Sequence, residues 1–447
     1  MSEAAETDPL EGMDADTDAD MGTDMGPDAE PHAEADVASE GGSSMVTKPV
    51  PRITIDVFCD SPDTGAVMAR AAEDRRLSKA HMSVHTGGIE ASVNHYQDAS
   101  TANLVIVESR ASAEELFAQL GGLADTCDAG TKVIVIGHLN DISVYREMIR
   151  QGVNEYLVAP LTPIQVIESI SRLYVDPDAP PIGRSVAFIG AKGGVGSSTI
   201  AHNVGWCVAE NMHEDTSIID FDLPFGTAGL DFNQDPLQGV AEALNAPERL
   251  DDVLLDRLLV KCTDRLSLFA APSVLDRDFE EDPAAYENVL EVVRETVPCA
   301  VVDLPHAWTP WTRKLFMSAD EIVITATPDL ASLRNVKNMV DLAKAERAND
   351  ALPHIVLNQV GVPKRPEIPV KDFGEAVGLD PTLVLPFNPT LFGEAANNGQ
   401  MIDELEPKGK TAAGMRHLAS AVTGRIAVDR SSKSIFPFLS KLARKKG

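Results

Sequence analysis

The sequence predicts an α/β protein made of two doubly wound domains in tandem. Three observations predict it. From Arg52 onward, short runs rich in Val and Ile alternate with segments of helical spacing, which is the pattern of buried parallel strands joined by crossover helices. The alternation is interrupted by the proline-rich stretch Asp176-Pro-Asp-Ala-Pro-Pro181, which reads as a linker. A second series then opens on an apolar strand that runs into a glycine-rich turn and a helix.

The elements follow in order. Residues 1–50 alternate Asp, Glu, Ala, Gly, Thr and Met without apolar periodicity, and no Lys or Arg occurs in the first 47 residues. Such a composition buries too little surface to offset chain entropy, so a disordered acidic tail is expected, serving as a solvated spacer or as a docking segment. The first domain spans 51–175, with strands expected at 53–58, 104–107, 133–136 and 155–158, and helices at 112–120, 142–150 and 164–174. The linker occupies 176–183. The second domain spans 184–428, with strands expected at 186–189, 217–220, 266–270, 300–303, 321–325, 355–357 and 384–386. A basic, amphipathic tail fills 429–447.

Composition narrows the function. A net charge of −31 repels the DNA backbone, so nucleic acid is disfavoured as a partner. No apolar run approaches the ~18 residues of a spanning helix, and no positive start followed by an apolar stretch marks a secretory signal. The five cysteines are scattered and none forms a C-x-x-C pair. Reduced thiols and a cytoplasmic location are expected, with no disulfide framework or cysteine metal site.

The chemistry concentrates in Phe188-Ile-Gly-Ala-Lys-Gly-Gly-Val-Gly-Ser-Ser-Thr-Ile-Ala-His-Asn203. Glycines let backbone N–H groups close around phosphate oxygens, and the helix N-terminus adds partial positive charge. Ser198 stands where a hydroxyl just inside the helix ligates magnesium. The loop resembles the deviant Walker A motif of MinD/ParA-type P-loop NTPases. That resemblance implies ATP and Mg2+ as ligands, and Lys192, Gly193, Gly194, Val195, Gly196, Ser197, Ser198 and Thr199 as the phosphate cradle. Lys192 matches the family's signature lysine, which reaches across an ATP-sandwich homodimer. Ser197 departs from the pattern, because the family usually has a second lysine there. Its loss removes a charge-assisted contact worth roughly 1.5–3 kcal/mol and puts hydrolysis in doubt more than binding.

Two acidic segments complete the resemblance. Ile218-Ile-Asp-Phe-Asp-Leu-Pro-Phe-Gly-Thr-Ala-Gly-Leu-Asp231 resembles switch I, in which Asp222 would orient the attacking water and Asp220 precedes it. Val301-Val-Asp-Leu-Pro305 resembles Walker B, in which Asp303 would hold magnesium through water. Val356-Leu-Asn-Gln-Val360 resembles the segment whose asparagine contacts the base, which makes Asn358 a candidate beside the alternative of ordinary strand-end turn chemistry.

The first domain is similar to the receiver domain of response regulators over about 52–174, most clearly at Gly152-Val-Asn-Glu-Tyr-Leu-Val-Ala-Pro160. That fold is flavodoxin-like. The receiver's functional positions fall at Cys59-Asp60, Glu108, Gly137 and Ala159, so the acceptor aspartate, hydroxyl and lysine are all missing. A degenerate receiver acting as a scaffold is expected.

A degenerate receiver before a MinD-like domain resembles the CpaE/TadZ family of pilus assembly proteins. So do Leu304-Pro-His-Ala-Trp-Thr-Pro-Trp311 and Ala395-Ala-Asn-Asn-Gly-Gln400. The resemblance implies a positioning or assembly ATPase of the Flp (tight-adherence) pilus system. It implies pilus secretion machinery as partners, at the inner membrane or a cell pole. The tail residues 434–446 read as a weak interfacial helix for peripheral membrane contact, or as a soluble basic tail. Three alternatives stay open. They are a non-hydrolysing scaffold with a decayed ATP site, a ParA-like DNA-segregating ATPase, and an iron–sulfur reductase of the same fold. The last would need bridging cysteines, and Cys262 and Cys299 form no such arrangement.

Overall fold

The computed structural model describes residues 50–128, 130–174, 182–236, 238–272, 275 and 282–425. The expected acidic tail up to residue 49, most of the linker and the basic tail lie outside the described residues.

Five strands build the first sheet: β1 (Thr54–Cys59), β2 (His81–Thr86), β3 (Leu104–Glu108), β4 (Lys132–Gly137) and β5 (Glu155–Val158). Their order is β2-β1-β3-β4-β5 and every pairing is parallel. This is the flavodoxin-like winding, with helices on both faces. β3 shows why its sequence is continuously apolar. Leu104 and Ile106 enter the core on one face, while Val105 and Val107 enter the core on the other. β2 carries no such run. It is an edge strand, His-Met-Ser-Val-His-Thr, with no fully buried residue. That half-polar pattern is why it was not among the expected strands, and the helices beside it, Pro62–Ala72 and Gly88–His95, were missed with it.

The second sheet has eight strands: β6 (Arg184–Gly190), β7 (Thr216–Asp220), β8 (Val260–Lys261), β9 (Leu266–Phe269), β10 (Cys299–Asp303), β11 (Glu321–Ala326), β12 (His354–Val360) and β13 (Leu383–Pro386). The order is β13-β12-β11-β6-β10-β7-β9-β8, parallel except for the two-residue edge strand β8. Alternation again feeds two cores, Ala187 and Ile189 of β6 into one and Val186 and Phe188 into the other. β6, β10 and β7 are adjacent and in register, Asp303 lying beside both Phe188 and Asp220. Their carboxyl ends therefore converge on one rim, where doubly wound sheets bind ligands.

Ion pairs join the two domains at the opposite rim. Arg75 donates to Asp350 (2.9 Å), Asp320 (3.1 Å) and the Ser318 carbonyl (2.7 Å). Arg76 pairs with Asp74 and Asp350. Arg294 and Arg347 complete the neutralisation of Asp320 and Asp350, at 2.7 and 3.2 Å.

Candidate functional site

β6 ends at Gly190, and the loop turns back over it. A Cβ there would lie 2.9 Å from Val195 Cγ2, so only glycine lets the loop close. Gly194 and Gly196 have φ of +76° and +86°, conformations that side chains disfavour. Gly196 caps helix Ser197–Trp206, which starts at the loop's mouth. Gly193 and Gly194 are exposed, Val195 is buried, and Ser198 and Thr199 are half-buried at the helix start. Two side chains from the end of β12 hold the loop. Asn358 Nδ2 donates to the Val195 carbonyl (2.8 Å) and Gln359 Nε2 to the Gly194 carbonyl (3.1 Å). Asn335 Nδ2 donates to the Ala191 carbonyl at 2.7 Å.

Lys192 is half-exposed and paired with Asp329 at 2.7 Å. Asp329 also caps helix Leu330–Glu346 through the Ser332 N–H. Burial acts to raise its carboxyl pKa, but hydrogen bonds from Lys192, Thr327 and Ser332 outweigh it and hold the value down at about 2.

The acidic residues gather beside the loop. Asp303 at the end of β10 is buried, and neither carboxylate oxygen has a hydrogen-bond partner. Asp220 at the end of β7 accepts from the N–H groups of Asp222 (3.0 Å) and Ala228 (3.2 Å). Burial, then the neighbouring Asp303 charge, pushes the Asp220 carboxyl up to about 7. Asp222 is half-buried, and the same two causes raise it. A buried imidazole, His202, stands between acids. Its Nδ1 lies 2.7 Å from Asp231, and its Nε2 lies 3.5 Å from Asp303, an ion-pair distance without a hydrogen bond. Burial works against the imidazolium, yet the pairing with Asp231 and Asp303 takes its pKa up to about 10.

The structure brings Lys192, the glycines, Ser198, Asp222 and Asp303 to one rim of the sheet. Asn358 lies there too, but its amide is spent on the loop and on its neighbour's N–H. It still lines a cavity of about 210 Å3, with Thr199, Pro386, Phe387 and Phe392. His202, Asp231, Asp329 and Gln359 did not emerge from the sequence as site residues. Only Asp329 had a local signal, an Asp three residues before Ser332 at a strand-to-helix junction.

The corresponding rim of the first domain is closed. Glu108 is fully buried and accepts from the N–H groups of Asp60 and Ser61, the hydroxyls of Ser61 and Thr64, and His138 Nε2. Burial would raise its carboxyl pKa; the hydrogen bonds from Ser61, Thr64 and His138 win and hold it below the ordinary value. At Gly137 a Cβ would meet the Tyr156 hydroxyl at 2.1 Å, so the tyrosine occupies the place a Ser or Thr side chain would need.

No protein-family model matches the chain. MinD of Bacillus subtilis, a septum site-determining protein, is 20% identical over 260 residues, 54% of this chain and 90% of MinD. A ParA family ATPase from Chlorobium tepidum is 23% identical, with a TM-score of 0.49 over 53% of this chain and 98% of that one. The fold is α/β, a receiver-like domain followed by a MinD/ParA-type P-loop NTPase domain, as the two strand orders and the loop require. A solved CpaE2 pilus assembly protein from Sinorhizobium meliloti is 39% identical (TM-score 0.26; 27% of this chain, 98% of that one). The pilus assembly protein CpaE of Caulobacter crescentus is 50% identical (TM-score 0.29; 29% of this chain). With half the residues identical across 98% of that solved chain, the protein belongs to the CpaE family of pilus assembly proteins.

Proposed function

We propose that this chain is an ATP-binding, MinD/ParA-like ATPase of the Flp pilus system that positions or assembles the machinery through ATP-linked homodimerisation at the inner membrane. The observation that carries the reading is the Asp303 carboxylate, buried at the sheet rim beside the glycine loop with both oxygens lacking a hydrogen bond. His202 offsets part of its charge from 3.5 Å but leaves both oxygens without a hydrogen bond, a costly state for a buried carboxylate that a bound cation would relieve. The carboxylate's hard oxygens suit magnesium, and Ser198, half-buried in the first turn of helix Ser197–Trp206, would supply a hydroxyl ligand. Magnesium, when bound, would supply charge neutralisation at the phosphates.

The other residues take roles around that point. Loop N–H groups between Gly193 and Thr199 cradle the phosphates. The Asp222 carboxylate accepts a hydrogen bond from the Phe225 N–H and, through it, stays where it can orient a water. Lys192 is parked on Asp329. Both partners are substantially exposed, so this ion pair is worth only about 0–1 kcal/mol, and the lysine exchanges it readily for a phosphate of a second subunit. Among the described residues no helix is long and apolar enough to cross a membrane; the attachment proposed is a peripheral one through the basic C-terminal sequence.

A second reading, a non-hydrolysing scaffold, is favoured by Ser197. Its hydroxyl is buried without a hydrogen bond where the family's second lysine would stand. Calorimetric titration with Mg-ATP, read alongside molar mass by light scattering, tests both. Micromolar binding with a monomer-to-dimer shift, lost in Lys192→Ala, is expected. Absence of binding at millimolar ATP would overturn the ATP reading and leave the scaffold.

A further inference from the structure

His202 belongs to none of the roles above, yet it is an ionisable side chain buried against the site and flanked by two carboxylates. It lies on helix Ser197–Trp206, about one turn beyond Ser198, and is fully buried. Its ring touches two different elements. Nδ1 holds Asp231, the last residue of the short helix Ala228–Asp231. Nε2 faces Asp303, the carboxylate at the end of β10. The Ala228–Asp231 helix follows directly on the Asp222 turn and presents Leu230 to solvent, as the turn presents Phe225.

We infer that His202 is a positioning residue that ties the Asp303 carboxylate to the Asp222–Asp231 segment, so that magnesium–nucleotide binding at Asp303 is transmitted to that segment. The inference rests on the nucleotide reading above. An imidazole is rigid, and this one is packed on every side. A change in the Asp303 position or hydrogen bonding therefore meets Nε2, and the ring cannot answer without pulling on the 2.7 Å contact at Nδ1. The 3.5 Å gap at Nε2 leaves room for a hydrogen bond to form as the carboxylate reorients. Partners that orient a metal-holding side chain in this way typically change metal affinity by about 10–100-fold when removed.

The test uses the full chain and two readouts. One is ATP affinity with magnesium and with EDTA. The other is amide hydrogen exchange across residues 225–231 with and without Mg-ATP. In the wild type, magnesium tightens binding and Mg-ATP slows exchange in that segment. His202→Gln reaches the Nε2 position and keeps the Asp303 contact, so it retains the magnesium effect but loses the exchange response. His202→Asn reaches only the Nδ1 position, so it loses about tenfold of the magnesium effect and the exchange response. Asp231→Ala removes the acceptor at Nδ1 and loses the exchange response alone, and it decides the matter should the His202 variants not fold. A role in packing alone would lower affinity equally with and without magnesium. That result overturns the inference, as do variants that keep both responses. A wild type that binds no ATP in either condition overturns the nucleotide reading and this inference together; a wild type that binds while the variants behave like it overturns this inference alone.

Discussion

Ser197 stands where the proposed nucleotide loop departs from the pattern it resembles. It sits at the first position of helix Ser197–Trp206, buried, with its hydroxyl unpaired. Ser197→Lys restores a charge-assisted donor to the cradle, an interaction worth about 1.5–3 kcal/mol, so Mg-ATP should bind at least about tenfold more tightly in a calorimetric titration. No change would mean that the loop amides already satisfy the phosphates. Gly196→Ala fails for two reasons that add. Its φ of +86° is strained for alanine, and the new Cβ would stand 2.7 Å from Asn358 Nδ2, breaking the bond that holds Val195. The expected cost is about 2 kcal/mol or more of stability, read from a urea midpoint. The glycines, Ser198, Asp222 and Asp303 were legible because their spacing along the chain is itself the motif. His202 was not, since nothing in a helix sequence says that one histidine faces two acids brought in from residues 231 and 303. Asn358 was legible as a position, but what its amide bonds to became visible only with the loop folded against it.

At the scale of elements, Glu108 is a structural tie. Its carboxylate receives the N–H groups of Asp60 and Ser61 at the entrance to helix Pro62–Ala72, together with two hydroxyls. β1, β3 and that helix are thus pinned to one another at the rim where a working receiver would be open. Glu108→Ala strands several buried donors at once, and each costs about 1–3 kcal/mol; a loss of about 3 kcal/mol or more is expected by urea unfolding. Loss below 1 kcal/mol would show that water replaces the carboxylate and that the rim is not closed. The strands that carry these residues were readable where both faces are buried, as in β3, β4 and β10, because parallel strands between two cores must be apolar throughout. β2 and β8 were not readable. One is a half-polar edge and the other has two residues, so neither leaves a period in the sequence.

The whole molecule is organised about the charge cluster between its two domains. Arg75 and Arg76 of the first domain meet Asp320 and Asp350 of the second, and all but Arg75 are nearly buried. Helix Leu330–Glu346 connects this cluster to the site, beginning at Asp329 beside Lys192 and ending at Arg347 beside Asp350. The proline-rich stretch in the sequence raises the expectation of a linker, but nothing in it points to this clamp, which depends on residues more than 240 positions apart. Burial alone would raise the Asp320 and Asp350 carboxyls. The surrounding arginines outweigh it, Arg294 and Arg75 at Asp320 and Arg75 and Arg347 at Asp350, and hold both below the ordinary aspartate range. The sign follows from linkage. A carboxyl with a lowered folded pKa contributes stability that is present above the unfolded value of about 3.9 and is lost as pH falls through the folded value. Asp350→Asn should therefore be less stable than wild type at pH 7, with the difference steady down to about pH 4 and shrinking below it. Arg75→Ala leaves two buried carboxylates short of a partner, a change that typically costs about 3–5 kcal/mol. Because Arg75 holds the first domain to the second, that loss falls on the interface rather than on either core. Thermal unfolding of Arg75→Ala followed by calorimetry should then separate into two transitions where the wild type shows a single one. A single transition shifted to lower temperature would place the coupling between the domains elsewhere than in this cluster.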